Sequence, residues 1–275
     1  MLVEKILRQA LEEDIGRGDI TSEATTPSFL PAQADLIIKS PGILAGGEIA
    51  GRVFHLLDPD LEFQLLASDG DQVREGDIIA SIAGNARSIL AGERVALNFL
   101  QRLSGIATAT YTAVQAAQPF DVTITDTRKT TPGLRILEKY AVRIGGGKNH
   151  RFGLDDAILI KDNHIKVAGG VTEAIKRARS HIGHMLKVEV EVETFDQVRE
   201  AVAVGADVIM LDNMEPENMK EAVSIIAGRA VAEASGGITP AQVASIAATG
   251  VDVISLGWIT HSAPPLDIGL DIRID

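Results

Sequence analysis

Six short apolar runs in the second half of the chain end in charged or small polar residues. They are VTITDTRK (122–129), AILIKDNH (157–164), KVEVEVE (187–193), DVIMLDN (207–213), AVAEASGG (230–237) and DVISLGW (252–258). A β/α barrel gathers its chemistry at the carboxyl ends of its parallel strands. If these runs are such strands, Arg128, Lys129, Lys161, Glu191, Asp212 and Ser235 meet around one mouth. Cations, carboxylates and a Ser-Gly-Gly turn in one place suit an anionic, phosphorylated substrate with a metal.

The residue types divide the work. Lys129 and Lys161 are compact charges suited to phosphate and pyrophosphate oxygens. Glu191 and Asp212 each close an apolar run, where buried carboxylates need partners. Magnesium takes one or two carboxylates plus substrate phosphate oxygens, so this pair fits a Mg²⁺ site. Alternation in EVEVE places Glu189, Glu191 and Glu193 on one strand face, which keeps all three open as participants. Asp212 has a competing use as a helix N-cap. Ser235, Gly236 and Gly237 follow one run and Gly257 the next. Glycine lets backbone N–H groups approach a phosphate closely, and barrel phosphates often sit at the last two strands. His261 is a further candidate beside them.

Local charge supports an anionic ligand although the chain's formal net charge is −12. Between Asp126 and Lys166 there are nine Lys and Arg against five acids, with His150 and His164 in the same stretch. A solvated helix face accounts for Arg135, Lys139 and Arg143, but not for Arg128, Lys129 and Lys161, which end strands. The acidic total argues against a nucleic-acid partner, whose footprint is a basic face.

These side chains must be positioned by two kinds of element. Residues 3–13 place Ile6, Leu7, Ala10 and Leu11 at helical spacing, ahead of the turn DIGRGDITS (14–22). From Ala34 to Ile82 the chain reads as strands and turns in a mainly antiparallel sheet, followed by a helix from Ala86 to Ser104. After Gly105 strands alternate with helical stretches at 108–117, 171–180, 195–205 and 240–250, the rhythm of a parallel α/β unit. The expected organisation is an N-terminal α/β domain over 1–105 and a β/α barrel over 106–263, with the tail 264–275 returning to the first domain. Hydrophobic residues make up 45% of the chain and aromatics only 4%, so the core must be built from Val, Ile, Leu and Ala, as buried parallel strands require.

There is no cysteine, which rules out disulfide and thiolate chemistry and permits a cytoplasmic home. The amino-terminal stretch carries acids, unlike a secretory signal, and no apolar stretch approaches the ~20 residues of a membrane span. GxGxxG, GxxxxGK[ST] and HExxH are absent, and GGGK (145–148) lacks the upstream glycine of a P-loop. The stretch 70–84 looks like a carrier-domain hairpin. Such carriers need a lysine at the tip, and no lysine occurs between Lys39 and Lys129.

Taken in order, DIGRGDIT (14–21), GERVALNFLQRLSGIAT (92–108), DTRKTTPGLR (126–135), KYAVRIGGGKNHRFGL (139–154), IKDNHI (160–165), EVEVE (189–193), MLDNM (210–214), EASGGI (233–238) and SLGWITHSAP (255–264) resemble the quinolinate phosphoribosyltransferases, also called nicotinate-nucleotide pyrophosphorylases (carboxylating). The resemblance implies an N-terminal α/β domain beside an incomplete β/α barrel, and a dimer or larger homo-oligomer. It also implies transfer from 5-phosphoribosyl-1-pyrophosphate to quinolinate with Mg²⁺, giving nicotinate mononucleotide, pyrophosphate and CO₂. On this resemblance Arg128 and Arg151, with His150 beside them, hold the quinolinate carboxylates, and Glu191 is the participating glutamate of EVEVE. Arg94 resembles an arginine that this family delivers across the subunit interface; spacing alone makes it an ordinary neighbour of Glu93. The rivals are a related transferase for another aromatic acid, and a Schiff-base lyase using Lys129 or Lys161.

Overall fold

The computed structural model, which describes Leu2–Ile274, forms strands where apolar and polar residues alternate and helices where apolar residues recur every three or four positions. The helices are Leu2–Ile15 (α1), Ile20–Thr25 (α2), Gly47–Leu57 (α3), Ala86–Ala116 (α4), Arg135–Ile144 (α5), Asp162–Ala168 (α6), Val171–His181 (α7), Phe195–Ala203 (α8), Pro216–Ile226 (α9), Val243–Ala247 (α10) and Trp258–His261 (α11). The strands are Pro31–Ile38 (β1), Gly42–Ile43 (β2), Glu62–Leu65 (β3), Gln72–Val73 (β4), Ile78–Asn85 (β5), Thr123–Thr125 (β6), Ile158–Ile160 (β7), Val188–Val192 (β8), Val208–Asp212 (β9), Val231–Ser235 (β10), Val253–Ser255 (β11) and Ile268–Arg273 (β12). Among the described residues no helix is long and apolar enough to cross a membrane.

The chain divides into two compact units. One comprises the residues up to Tyr111, Thr130–Gly146 and the residues from Ile259 on; the other comprises Thr112–Lys129 and Gly147–Trp258. The first holds an antiparallel sheet in the order β12-β1-β5-β3 and a small β2-β4 pair. The carboxyl-terminal tail does enter this sheet, pairing with β1 from Gln33↔Arg273 to Ile38↔Ile268.

Three expectations need correction here. The stretch between Ala34 and Ile82 is not all strand and turn, because α3 lies inside it. Ala50, Val53 and Phe54 bury one face of that helix, and its start is held by Asp69, which accepts the N–H groups of Gly46 (2.7 Å) and Gly47 (3.0 Å). Second, the helix expected to stop at Ser104 runs on to Ala116 without a break, so residue 105 falls inside α4. A Cβ on Gly105 would lie 2.1 Å from the carbonyl oxygen of Pro264, so the backbone approach demands glycine. Third, α5 is not a wholly solvated face. Lys139 is buried, Glu138 is buried in an ion pair with Arg102 at 2.9 Å, and Arg135 is half-buried with its Nε donating to Thr130 Oγ1. Arg143 alone of the three basic residues is exposed.

The second unit carries six parallel strands in the order β6-β11-β10-β9-β8-β7, one inside each of the six apolar runs. β6 and β7 stand at opposite edges of this sheet, so the barrel is incomplete. Along β8, Val188, Val190 and Val192 are wholly buried, and Ile209, Leu211, Ala232, Ala234 and Ile254 continue that layer on neighbouring strands. Successive side chains alternate between faces. The other face therefore carries Glu189 and Glu191, Met210 and Asp212, Glu233 and Ser235, and Ser255. These positions, polar apart from Met210, line the barrel interior, and the loops at the strands' carboxyl ends stand above them.

Candidate active site

At those carboxyl ends lies a cavity of about 420 Å³, a volume suited to small-molecule substrates. It is lined by Arg128, Lys129, His150, Arg151, Lys161, Glu191, Asp212, Ser235, Gly236 and Gly237, together with Thr127, Leu159, Met210, Asn213 and Ser255. A larger cleft of about 570 Å³ lies in the first unit. Its cation Arg102 is already closed on Glu138 and its rim brings the acids Glu13 and Asp14, so it does not suit an anionic ligand.

Arg128 and Lys129 stand just beyond β6, Lys161 just beyond β7, and His150 with Arg151 enters from the loop before β7. Burial first, and then the charge of Arg128, pulls the Arg151 guanidinium below its ordinary pKa. Two guanidiniums are thus close enough to repel, a strain that a bound anion relieves. Arg151 Nη1 donates to the Ala157 carbonyl at 3.0 Å, which fixes one edge of its fork. Lys161 Nζ contacts Glu191 Oε2 at 2.5 Å.

The acids lie opposite. Burial, and next the negative charge of Glu191, pushes the Asp212 carboxyl above its usual range. Asp212 is not a helix cap: α9 starts further on, with Glu215 at its N-cap position. Asp212 Oδ2 instead accepts from Asn213 Nδ2 at 2.6 Å. Glu193 is exposed, and Glu189 is buried deeper in the barrel.

The Ser-Gly-Gly turn interlocks with the next strand end. Gly236 (φ +94°) and Gly237 (φ +58°) both have positive φ, and a Cβ on Gly236 would lie 2.7 Å from the backbone N of Asn213. Asn213, itself at φ 53°, donates its N–H to the Ser235 carbonyl at 3.0 Å. The turn therefore exposes backbone to the cavity while bracing Asp212.

Three expected residues do not line the cavity. Arg94 is exposed on α4, with Nη2 3.9 Å from the Glu93 carboxylate. Gly257 is half-buried beyond β11, and His261 in α11 is exposed, its Nδ1 2.6 Å from Ser262 Oγ. His164 serves locally, its Nδ1 accepting the Lys161 backbone N–H at 2.9 Å.

Sequence reasoning missed an ionic layer beneath the cavity. His150 Nε2 lies 3.2 Å from Glu189 Oε2 and 3.5 Å from Glu233 Oε1, and both carboxylates are buried. Burial alone would strip the imidazole of its proton, but the two carboxylates outweigh it and push its pKa up to about 10. Burial raises the Glu189 carboxyl in turn, with Glu233 adding to the effect. On the other ring nitrogen, the Arg151 backbone N–H donates to Nδ1 at 2.9 Å. That bond needs a lone pair which the imidazolium lacks, so it opposes the pull of the carboxylates. A charge in so dry a place outweighs one neutral hydrogen bond. In either protonation state Nε2 carries the proton facing Glu189. The three donor groups lie within 4.8 Å of one another. Asp126, wholly buried, accepts the His150 backbone N–H at 2.8 Å and Asn149 Nδ2 at 2.7 Å. A signal for Glu233 was present: alternation along VAEAS sets it on the same face as Ser235.

The profile described as the quinolinate phosphoribosyl transferase C-terminal domain matches residues 106–271, and that of the N-terminal domain matches 19–104. A probable nicotinate-nucleotide pyrophosphorylase (carboxylating) of Bacillus subtilis is 49% identical over 272 residues, 99% of this chain and 94% of its own length. The crystal structure of NadC from Streptococcus pyogenes superposes with a TM-score of 0.95 at 43% identity, covering 99% of this chain and 98% of that one. The nicotinate-nucleotide pyrophosphorylase from Francisella tularensis gives 0.95 at 42% identity, covering 99% and 96%. With both domain profiles matched in order and nearly the whole length shared, the chain belongs to the quinolinate phosphoribosyltransferase family.

Proposed function

We propose that this protein transfers the phosphoribosyl group of 5-phosphoribosyl-1-pyrophosphate to quinolinate and decarboxylates the product, yielding nicotinate mononucleotide, pyrophosphate and CO₂ for NAD biosynthesis. The observation that carries this is the pairing, across one cavity, of Arg128, Arg151 and His150 with the acids Glu191 and Asp212. The basic group suits two adjacent carboxylates on a pyridine ring, because an arginine fork holds a carboxylate through two parallel hydrogen bonds. Lys129 and Lys161 suit the pyrophosphate, and the Ser235–Gly237 turn suits the 5-phosphate.

Glu191 and Asp212 fit a divalent cation. The carboxyl of Asp212 is raised by burial and by Glu191, and positive charge between the two would relieve both effects. They are the residues that would hold Mg²⁺, which when bound neutralises pyrophosphate charge. Lys161, now closed on Glu191, is placed to turn toward the same oxygens.

The chain's own groups then work mainly by position and charge. The ribose C1–O bond breaks and pyrophosphate departs with the electron pair, into the field of Lys129 and Lys161. The pyridine nitrogen, held by Arg128 and Arg151, donates its lone pair to C1. The ring nitrogen is now positive, so it accepts the electrons left at C2 when that carboxylate leaves as CO₂. C2 then takes a proton. The lyase alternative loses ground because Lys161 Nζ is already engaged by the Glu191 carboxylate at 2.5 Å.

Action as a homodimer or larger assembly belongs to the same proposal. The exposed Arg94 would reach a neighbour's cavity, as the family resemblance suggests. A cytoplasmic location belongs to it also, and a chain without cysteine permits one. The deciding experiment measures CO₂ released from carboxyl-labelled quinolinate with and without phosphoribosyl pyrophosphate. Release dependent on both substrates is expected; release without the sugar donor, or none at all, refutes the proposal.

A further inference from the structure

His150 and Arg151 face their difficulty as loop residues. Between the end of α5 and the start of β7 the chain has no regular element, and a loop by itself holds side chains loosely. This loop is nevertheless anchored three times. Its Lys148 N–H donates to the Ile124 carbonyl at 2.8 Å, tying it to β6. Asp126 takes the His150 backbone N–H and the Asn149 side chain from one side. From the barrel interior, Glu189 lies 3.2 Å from His150 Nε2 and Glu233 adds negative charge at 3.5 Å, while Nδ1 of the same ring faces the Arg151 backbone nitrogen at 2.9 Å. The ring is thus held at Nε2 by carboxylate charge, with its Nδ1 edge 2.9 Å from the backbone nitrogen of the neighbouring arginine.

We propose that Glu189 and Glu233 are positioning residues, an acidic clamp under the cavity that fixes the His150 ring and through it aims Arg151 at the substrate carboxylates. The inference rests on the reading of the cavity as a dicarboxylate site. Fold stability gives little reason for such a clamp. Two carboxylates and an imidazole cost desolvation, and apolar side chains of similar volume often serve a buried site as well or better. What apolar packing cannot supply is a directed acceptor for Nε2–H, or negative charge beneath two repelling guanidiniums. Glu189 supplies both, since its charge acts on Arg151 as well as on His150.

The test compares Glu189→Gln, which keeps an acceptor, with Glu189→Leu, which keeps only the volume, and adds Glu233→Gln. In the purified enzyme Glu189→Leu is expected to raise KM for quinolinate about tenfold, the scale of one lost charge-assisted hydrogen bond. KM for phosphoribosyl pyrophosphate should stay within about twofold, while the melting temperature falls, because one member of a buried ionic cluster is lost. Glu189→Gln should recover most of the loss, and Glu233→Gln should fall between. Adding His150→Asn to Glu189→Leu should cost less than the two single losses combined, because the two act partly through one ring. Equal changes in both KM values, independent additive losses, or an unchanged quinolinate KM would overturn the clamp. If the parent protein turns over no quinolinate, the functional reading fails and the clamp is judged separately by NMR of labelled histidine and arginine side chains. There Glu189→Leu must shift the His150 ring signals and Arg151 Nε; unmoved signals refute it.

Discussion

Gly236→Ala probes the brace between the phosphate-facing turn and Asp212. Gly236 has φ +94°, and an added Cβ would stand 2.4 Å from Asn213 Oδ1 and 2.7 Å from Asn213 N. The amide oxygen could swing aside, but the backbone nitrogen cannot move without carrying Asp212 and without loosening its 3.0 Å bond to the Ser235 carbonyl. A non-glycine residue in such a conformation costs about 1–3 kcal/mol, and a lost hydrogen bond adds ~1. On a chain of this size the sum lowers the melting temperature by about 4–16 °C. The larger effect falls on catalysis, since a misplacement near 1 Å costs roughly 100-fold. The assay is kcat/KM for phosphoribosyl pyrophosphate beside a thermal melt, with Gly228→Ala as control. Gly228 has φ +69° but nothing within 4 Å of an added Cβ, and it precedes the amino end of β10, away from the cavity. It should lose stability and keep its kinetics. Parent-like kcat/KM in Gly236→Ala, or an equal kinetic loss in Gly228→Ala, would refute the brace.

Gly105→Ala sets two rules against each other: helix propensity predicts a gain of ~1 kcal/mol, whereas a Cβ 2.1 Å from the Pro264 carbonyl predicts a loss of about 1–3 kcal/mol or more. A melting temperature at or above the parent's would defeat the packing account. The folded-state pKa of His150 is raised from 6.5 to about 10, so the stability it contributes is complete below pH 6.5 and disappears as pH climbs through about 10. Histidine NMR should show no titration of the His150 ring near 6.5, and His150→Asn should flatten the alkaline fall in stability; a midpoint near 6.5 for that ring contradicts this. If Arg94 serves a neighbour's cavity, mixing Arg94→Ala and Lys161→Ala subunits recovers about a quarter of parental activity, one intact site in each hybrid pair. Verified hybrids without activity exclude shared sites.

What the sequence made legible is what local pattern encodes. The six apolar runs each contain one of the parallel strands because alternation and length suffice to specify a strand. The residues just past them stand out because charge after an apolar run breaks the pattern. Other features depend on partners far away in the chain. The start of α3 is set by Asp69, more than twenty residues on, so its helical spacing was hidden among glycines. The reason for glycine at 105 lies in the tail packed against it, far away in the chain. Lys139 looked solvated because nothing in its own helix shows what buries it.

The ionic layer was harder to see for a different reason. Glu189 and Glu233 sit two residues before Glu191 and Ser235, on the same faces of their strands but one layer deeper. In the sequence they resemble ordinary alternation on a half-exposed strand, and only the strands and loop packed around them turn them into buried charge. Buried carboxylates are costly unless a cation reaches them. Here that cation comes from His150, on a loop whose hold on the barrel depends partly on the same carboxylates. Strands and loop therefore specify each other. Removing either partner alone leaves uncompensated charge at the base of the cavity, whereas removing both returns the interior to ordinary packing and leaves Arg151 without its aim.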